Sequence, residues 1–123
     1  MLREDALGER KNRRSLGSFY EQQAATFLEE KGWHVLERNY RCSQGEIDLI
    51  CRDKEALVFV EVKYRSDDCF GEPMEAVDGR KQGRIRKTAA VYLGKRKLPF
   101  DTPCRFDVVG IGNRGIELVE NAF

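Results

Sequence analysis

The residues with chemistry to offer sit in two short segments, Gly45-Glu46-Ile47-Asp48-Leu49-Ile50 and Val58-Phe59-Val60-Glu61-Val62-Lys63. Both read as β-strands, and the polar turn Arg52-Asp53-Lys54-Glu55 suits a hairpin between them. Such a hairpin brings an aspartate, a glutamate and a lysine together. Two carboxylates can hold a hard divalent cation such as magnesium through oxygen ligands. A lysine beside them can orient a water or hold a phosphate oxygen. Metal-assisted phosphodiester hydrolysis requires that trio.

Strand alternation sets how the trio is displayed. It places Glu46 and Asp48 on one face with Ile47 and Leu49 on the other, and puts Phe59, Glu61 and Lys63 opposite Val58, Val60 and Val62. One account is a half-buried sheet whose outer face carries cross-strand ion pairs, such as Asp48 with Lys63. The other is a metal site. Ala56-Leu57-Val58-Phe59-Val60 is continuously apolar, which predicts a strand covered on both faces. Charges that follow directly on such a run lie at the rim of a core, where burial is unfavourable unless they are paired or metal-bound. Gly45 precedes the acidic strand, where a glycine lets a backbone approach closely. On physics alone both accounts stand.

The elements that must position these residues follow from periodicity. Ser18 to Lys31 predicts a helix with an apolar face of Tyr20, Ala24, Phe27 and Leu28, ended by Gly32. Ser18-Phe19-Tyr20-Glu21 has the form of a capping box, so Glu21 is either the partner of Ser18 or a ligand aimed at a site; spacing favours the cap. Strands are expected over Trp33–Tyr40, Glu46–Arg52 and Leu57–Tyr64. After a loop at Asp67–Pro73, a second helix starts near Asp78 with a stripe of Ile85, Ala89, Tyr92 and Leu93, interrupted in pattern by Gly83. Arg105–Ile111 and Ile116–Val119 close the chain as two strands around the turn Gly112-Asn113-Arg114-Gly115. The order αβββαββ implies an α/β domain, a mixed sheet flanked by helices, over residues 17–123. Residues 1–16 read as a charged, flexible arm.

Charge distribution adds a partner. The 123 residues are 41% apolar and 35% charged, and a net charge of +1 hides a strong local asymmetry. Arg80, Lys81, Arg84, Arg86, Lys87, Lys95, Arg96 and Lys97 stand against Asp78 alone, and Arg10-Lys11-Asn12-Arg13-Arg14 forms a second basic cluster. Such fields favour polyanions, although basic stretches are also ordinary solvated surface. Cys42, Cys51, Cys69 and Cys104 form no C-x-x-C pair and fit reduced thiols of a cytoplasmic protein. No signal-like or membrane-length apolar stretch occurs, so no membrane partner is expected. His34 is the only histidine, too little for a histidine-based metal site.

The motif Gly-Glu-Ile-Asp-Leu-Ile followed by Phe-Val-Glu-Val-Lys resembles the YraN-like family of uncharacterised bacterial proteins. That family is related to Holliday junction resolvases and to restriction-endonuclease-like (PD-(D/E)XK) nucleases. The similarity runs from about Gly17 to Val119 and takes in Glu21, Arg38-Asn39-Tyr40, Ala76-Val77, Lys81 and Arg105-Phe106-Asp107-Val108-Val109. The resemblance implies a restriction-endonuclease-like sheet in which Asp48 and Glu61 are metal ligands, with the Val62 carbonyl a third. It makes Lys63 the active-site lysine and Glu21 the helical acid that completes the site. Glu46 matches the pattern too, with support or contact to the basic helix as its expected role. Lys81, Gln82 and Arg84 fall where related nucleases approach phosphates; Lys87 on the same helix, with Arg13 and Arg14 in the arm, extends the basic surface. Where the wider superfamily often has proline before the metal-binding aspartate, this chain has Ile47. The implied function is a Mg2+- or Mn2+-dependent endonuclease acting on DNA, branched or structured DNA included, with a homodimer the assembly such relatives suggest. The alternatives are a nucleic-acid-binding protein that keeps the nuclease fold without catalysis, and an adaptor whose basic helix meets an acidic partner.

Overall fold

The computed structural model describes residues 18–65 and 77–123. Five strands among them form one mixed sheet: β1 (His34–Cys42), β2 (Gly45–Asp53), β3 (Ala56–Arg65), β4 (Cys104–Gly112) and β5 (Gly115–Val119), in that spatial order. Helix α1 covers residues 18–30, and α2 is Gly79–Lys95. Strands β1 to β3 form an antiparallel meander; β3 and β4 run parallel, with α2 in the connection, and β5 returns antiparallel. This is the α/β architecture expected from the order αβββαββ. The arm, with Arg13 and Arg14, and the loop with Cys69 lie outside the described residues.

The sheet is covered on both faces. Ala24, Ala25 and Leu28 of α1 pack with Leu49, Cys51, Val58, Val60, Val109 and Ile111 on one side. Ile85, Ala89 and Tyr92 of α2 pack with Ile47, Ile50, Leu57, Phe59 and Val108 on the other. The apolar run in β3 is therefore buried on both sides, as its composition predicts. Cys42, Cys51 and Cys104 are free thiols. No helix among the described residues is long and apolar enough to cross a membrane.

Two helix ends set the geometry of the site. Gly32, at φ +93°, closes α1: its own N–H bonds Glu29 O at 2.9 Å and that of Trp33 bonds Leu28 O at 3.1 Å. Asp78 caps α2 by accepting the Lys81 backbone N–H at 2.9 Å. At the other end of α1, Ser18 is already helical, so the capping-box role expected for Ser18 and Glu21 does not hold.

Simple alternation fails in β2. Ile47 packs toward α2 and Leu49 toward α1, although period two would put them together. The pairing changes between them, where Asn39 of β1, at φ +52°, also interrupts the β1–β2 ladder. Pairing of β2 with β3 stops at Leu49 opposite Val60, and beyond it the Asp48 side chain takes up the bond that a continuing ladder would supply.

Candidate active site

Asp48 stands where β2 and β3 part. Its Oδ2 accepts the Val62 backbone N–H at 2.8 Å, which fixes the carboxylate against β3. Glu61 comes one residue earlier on that strand and is 7% exposed. Burial, followed by the negative charge of Glu61, pushes the Asp48 carboxyl from an ordinary 3.8 up to about 7. The Val62 N–H pulls the other way, the Glu21 charge raises it further, and Lys81 offsets part of the effect. Glu21 on α1 is thus within electrostatic reach of Asp48.

Lys81, on the first turn of α2, forms an ion pair with Glu61. Burial draws the ammonium down, but the bond to Glu61 and the charges of Glu61, Asp48 and Asp78 outweigh it and raise its pKa. Lys81, which the family resemblance puts where related nucleases approach phosphates, is in the structure also the counter-ion of a buried carboxylate. Its side chain is still 51% exposed. A cleft of about 320 Å³ opens beside it, lined by Gly45, Glu46, Asp78, Arg80, Lys81, Arg84 and Ile85. Gly45 explains the close fit there. Its φ is +149°, and a Cβ would come within 3.1 Å of Thr88 Oγ1 and 3.4 Å of Arg84 Cβ.

The other expected site residues divide. Lys63 follows two places after Glu61 on β3 and shares its face by alternation, half-buried and opposite Gly110 of β4. Arg84 and Lys87 are exposed on α2, with Arg84 in the cleft and Lys87 outside its lining. Gln82 donates its side-chain N–H to Val77 O at 2.7 Å, so it anchors the start of α2. Glu46 is exposed, pairs with Arg41 at 3.1 Å and shares the cleft lining with Arg80, Lys81 and Arg84. Arg80, which the sequence grouped with the basic residues of this helix but not with those expected at phosphates, also lines the cleft.

Among the described residues, no three histidine, cysteine, aspartate or glutamate side chains are gathered as a ready-made cation cage. The donor set is the pair Asp48 and Glu61, with Glu21 at longer range. Magnesium is held through one or two carboxylates together with substrate phosphates and waters, so hard oxygen donors beside a basic cleft fit it.

The sequence profile described as "Uncharacterised protein family UPF0102" matches residues 20–111. The chain belongs to the UPF0102 family. A UPF0102 protein of Lachnoclostridium phytofermentans is 49% identical over 112 residues, covering 91% of this chain and 95% of its own length. One from Moorella thermoacetica is 46% identical over 117 residues, covering 90% and 97%. A third, from Clostridium botulinum strain 657, is 42% identical over 116 residues, covering 89% and 94%. The UPF0102 match bears out the YraN-like resemblance, and its span includes Glu21, Asp48, Glu61, Lys63 and Lys81.

Proposed function

We propose that this UPF0102 protein is a Mg2+- or Mn2+-dependent nuclease that hydrolyses phosphodiester bonds in DNA. The observation that carries the reading is the pair Asp48 and Glu61: two desolvated carboxylates held side by side, one with its pKa at about 7. Two like charges at the edge of a core destabilise the fold unless something positive joins them. Lys81 supplies part of that charge, and a divalent cation would supply the rest.

Asp48 and Glu61 would hold the metal, with the Val62 carbonyl as a third oxygen. When bound, the metal would polarise the scissile phosphate and acidify a water. The chain does the remainder. The Val62 N–H fixes the orientation of Asp48. Lys63, on the face of Glu61, orients the attacking water or steadies charge that develops on the phosphate. Glu21 adds negative charge on the α1 side, favouring cation over anion at that point. Arg80 and Arg84 draw the strand to the cleft without reading its sequence.

The test is a gel series with junction, flap, single-stranded and duplex DNA, in manganese and then in EDTA, for wild type and Lys63→Ala. The expected result is cleavage by wild type alone and in metal alone. Metal-independent shifts without cleavage, identical for both proteins, would instead support a binding protein on a nuclease scaffold.

A further inference from the structure

Lys81 belongs at once to the acidic pair and to the basic cleft. Its ammonium is ion-paired with the buried Glu61, while its own half-exposed side chain lines the cleft with Arg80 and Arg84. The acid is fixed on β3 at the edge of the core. The base is carried on a flexible stem from the first turn of α2. The partner that can move is therefore the lysine.

The acids that line the cleft are already engaged. Asp78 Oδ1 accepts the Lys81 backbone N–H at 2.9 Å, and Glu46 pairs with Arg41 at 3.1 Å. Arg80 lies four residues before Arg84 on α2 and Lys81 three, so the three basic side chains are neighbours on the helix surface. Like charges at these spacings repel. Without an anion in the cleft, the Lys81 ammonium is better placed on Glu61. With a phosphate between the guanidinium groups, a third cation beside them is stabilising. At the other end, the Glu61 oxygens attract a divalent cation more strongly than an ammonium, and an ammonium next to that cation is repelled.

We propose that Lys81 is a charge switch: it neutralises Glu61 before a divalent cation binds there, and passes to a DNA phosphate in the cleft once one does. This rests on the nuclease reading and adds regulation to it. Cation and DNA then tighten each other's binding by the same factor, as coupled ligands must. The metal-free protein withholds one phosphate contact, and so grips DNA less firmly until it is equipped to cut.

The salt dependence of binding to a short DNA duplex, in EDTA and in calcium, counts the phosphate contacts. Lys81→Gln should leave the slope of log affinity against log salt unchanged in EDTA, and flatten it by about 0.9 in calcium. Glu61→Gln releases the lysine without metal, so its slope in EDTA should be about 0.9 steeper than that of wild type. Adding Lys81→Gln to Glu61→Gln should abolish that gain. A lysine that contributes equally with and without calcium, or contributes nothing in the Glu61→Gln background, would overturn the proposal. Lysine ammonium NMR of wild type keeps the test alive if a Glu61 variant does not fold. The Lys81 ammonium signal should change on adding magnesium, over the same concentrations as the Glu61 carboxyl carbon. An ammonium that stays unchanged while that carbon responds would overturn the switch and leave the metal site standing. A carboxyl carbon that never responds would remove the nuclease reading and the switch with it.

Discussion

Among the described residues, fully buried Asp107 and partly buried Asp48 are treated in opposite ways. Asp107, on β4, is fully buried among partners: Arg105 Nε reaches both of its oxygens at 3.0 and 2.9 Å, and the Asn121 N–H reaches Oδ1 at 2.9 Å. Arg105 is held in turn by Asp53 at 3.2 Å and lies over the Trp33 ring at 5.1 Å. Burial still pushes the Asp107 carboxyl above its ordinary value, against these bonds. Asp48 has the Val62 N–H, but the charges next to it are chiefly negative. One aspartate ties β2, β4 and the chain end together. The other is held in place and left short of positive charge. A structural ion pair is complete within the fold, whereas a site is completed by its ligand.

Removing each aspartate should therefore act with opposite sign. Asp107→Ala strands a largely buried guanidinium and is expected to destabilise the protein by about 3 kcal/mol, the low end for a broken buried pair because Asp53 remains. Urea unfolding measures it, and a loss below about 1 kcal/mol would erase the contrast.

Asp48→Asn should stabilise the protein when no divalent cation is present. The folded-state pKa, about 7, lies above the ordinary 3.8, so the folded chain binds the extra proton between those values. The penalty is absent below about pH 4, grows as pH rises, and is complete above about pH 7. At pH 8 the gain is expected to be on the order of 2 kcal/mol, within the ~4 kcal/mol that such a displacement represents. At pH 4 it should vanish, and a gain independent of pH would point to packing instead of charge.

Much of this was legible in the sequence because it depends on local pattern. The apolar run of β3 predicted a strand buried on both faces, and Gly45 marked a place of close approach, though not that α2 would make it through Thr88 and Arg84. The turns at Lys54 and Asn113 were equally plain. What was not legible depends on distant partners. Period two misplaced Ile47 relative to Leu49, because it cannot show where two strands part. The capping-box pattern drew Glu21 toward Ser18, when the helix already includes Ser18. The pairing of Lys81 with Glu61 joins residues across a connection that no spacing rule spans. Arg105 and Asp107, two apart on one strand, could have been paired from alternation alone.

The smallest effect belongs to the exposed pair of Arg41 and Glu46. Glu46→Gln should change stability by no more than about 0.5 kcal/mol in the same urea assay. A larger change would mean that the cleft, and not only the buried pair, is electrostatically tuned.

The measurement that bears most directly on the central claim is thermal unfolding at pH 8 with and without manganese, for wild type and Asp48→Asn. If Asp48 and Glu61 are a cation site, manganese should raise the wild-type midpoint by ~5 °C or more and leave the variant unmoved, closing most of the gap between them. Equal shifts in both proteins, or no shift in either, would contradict it.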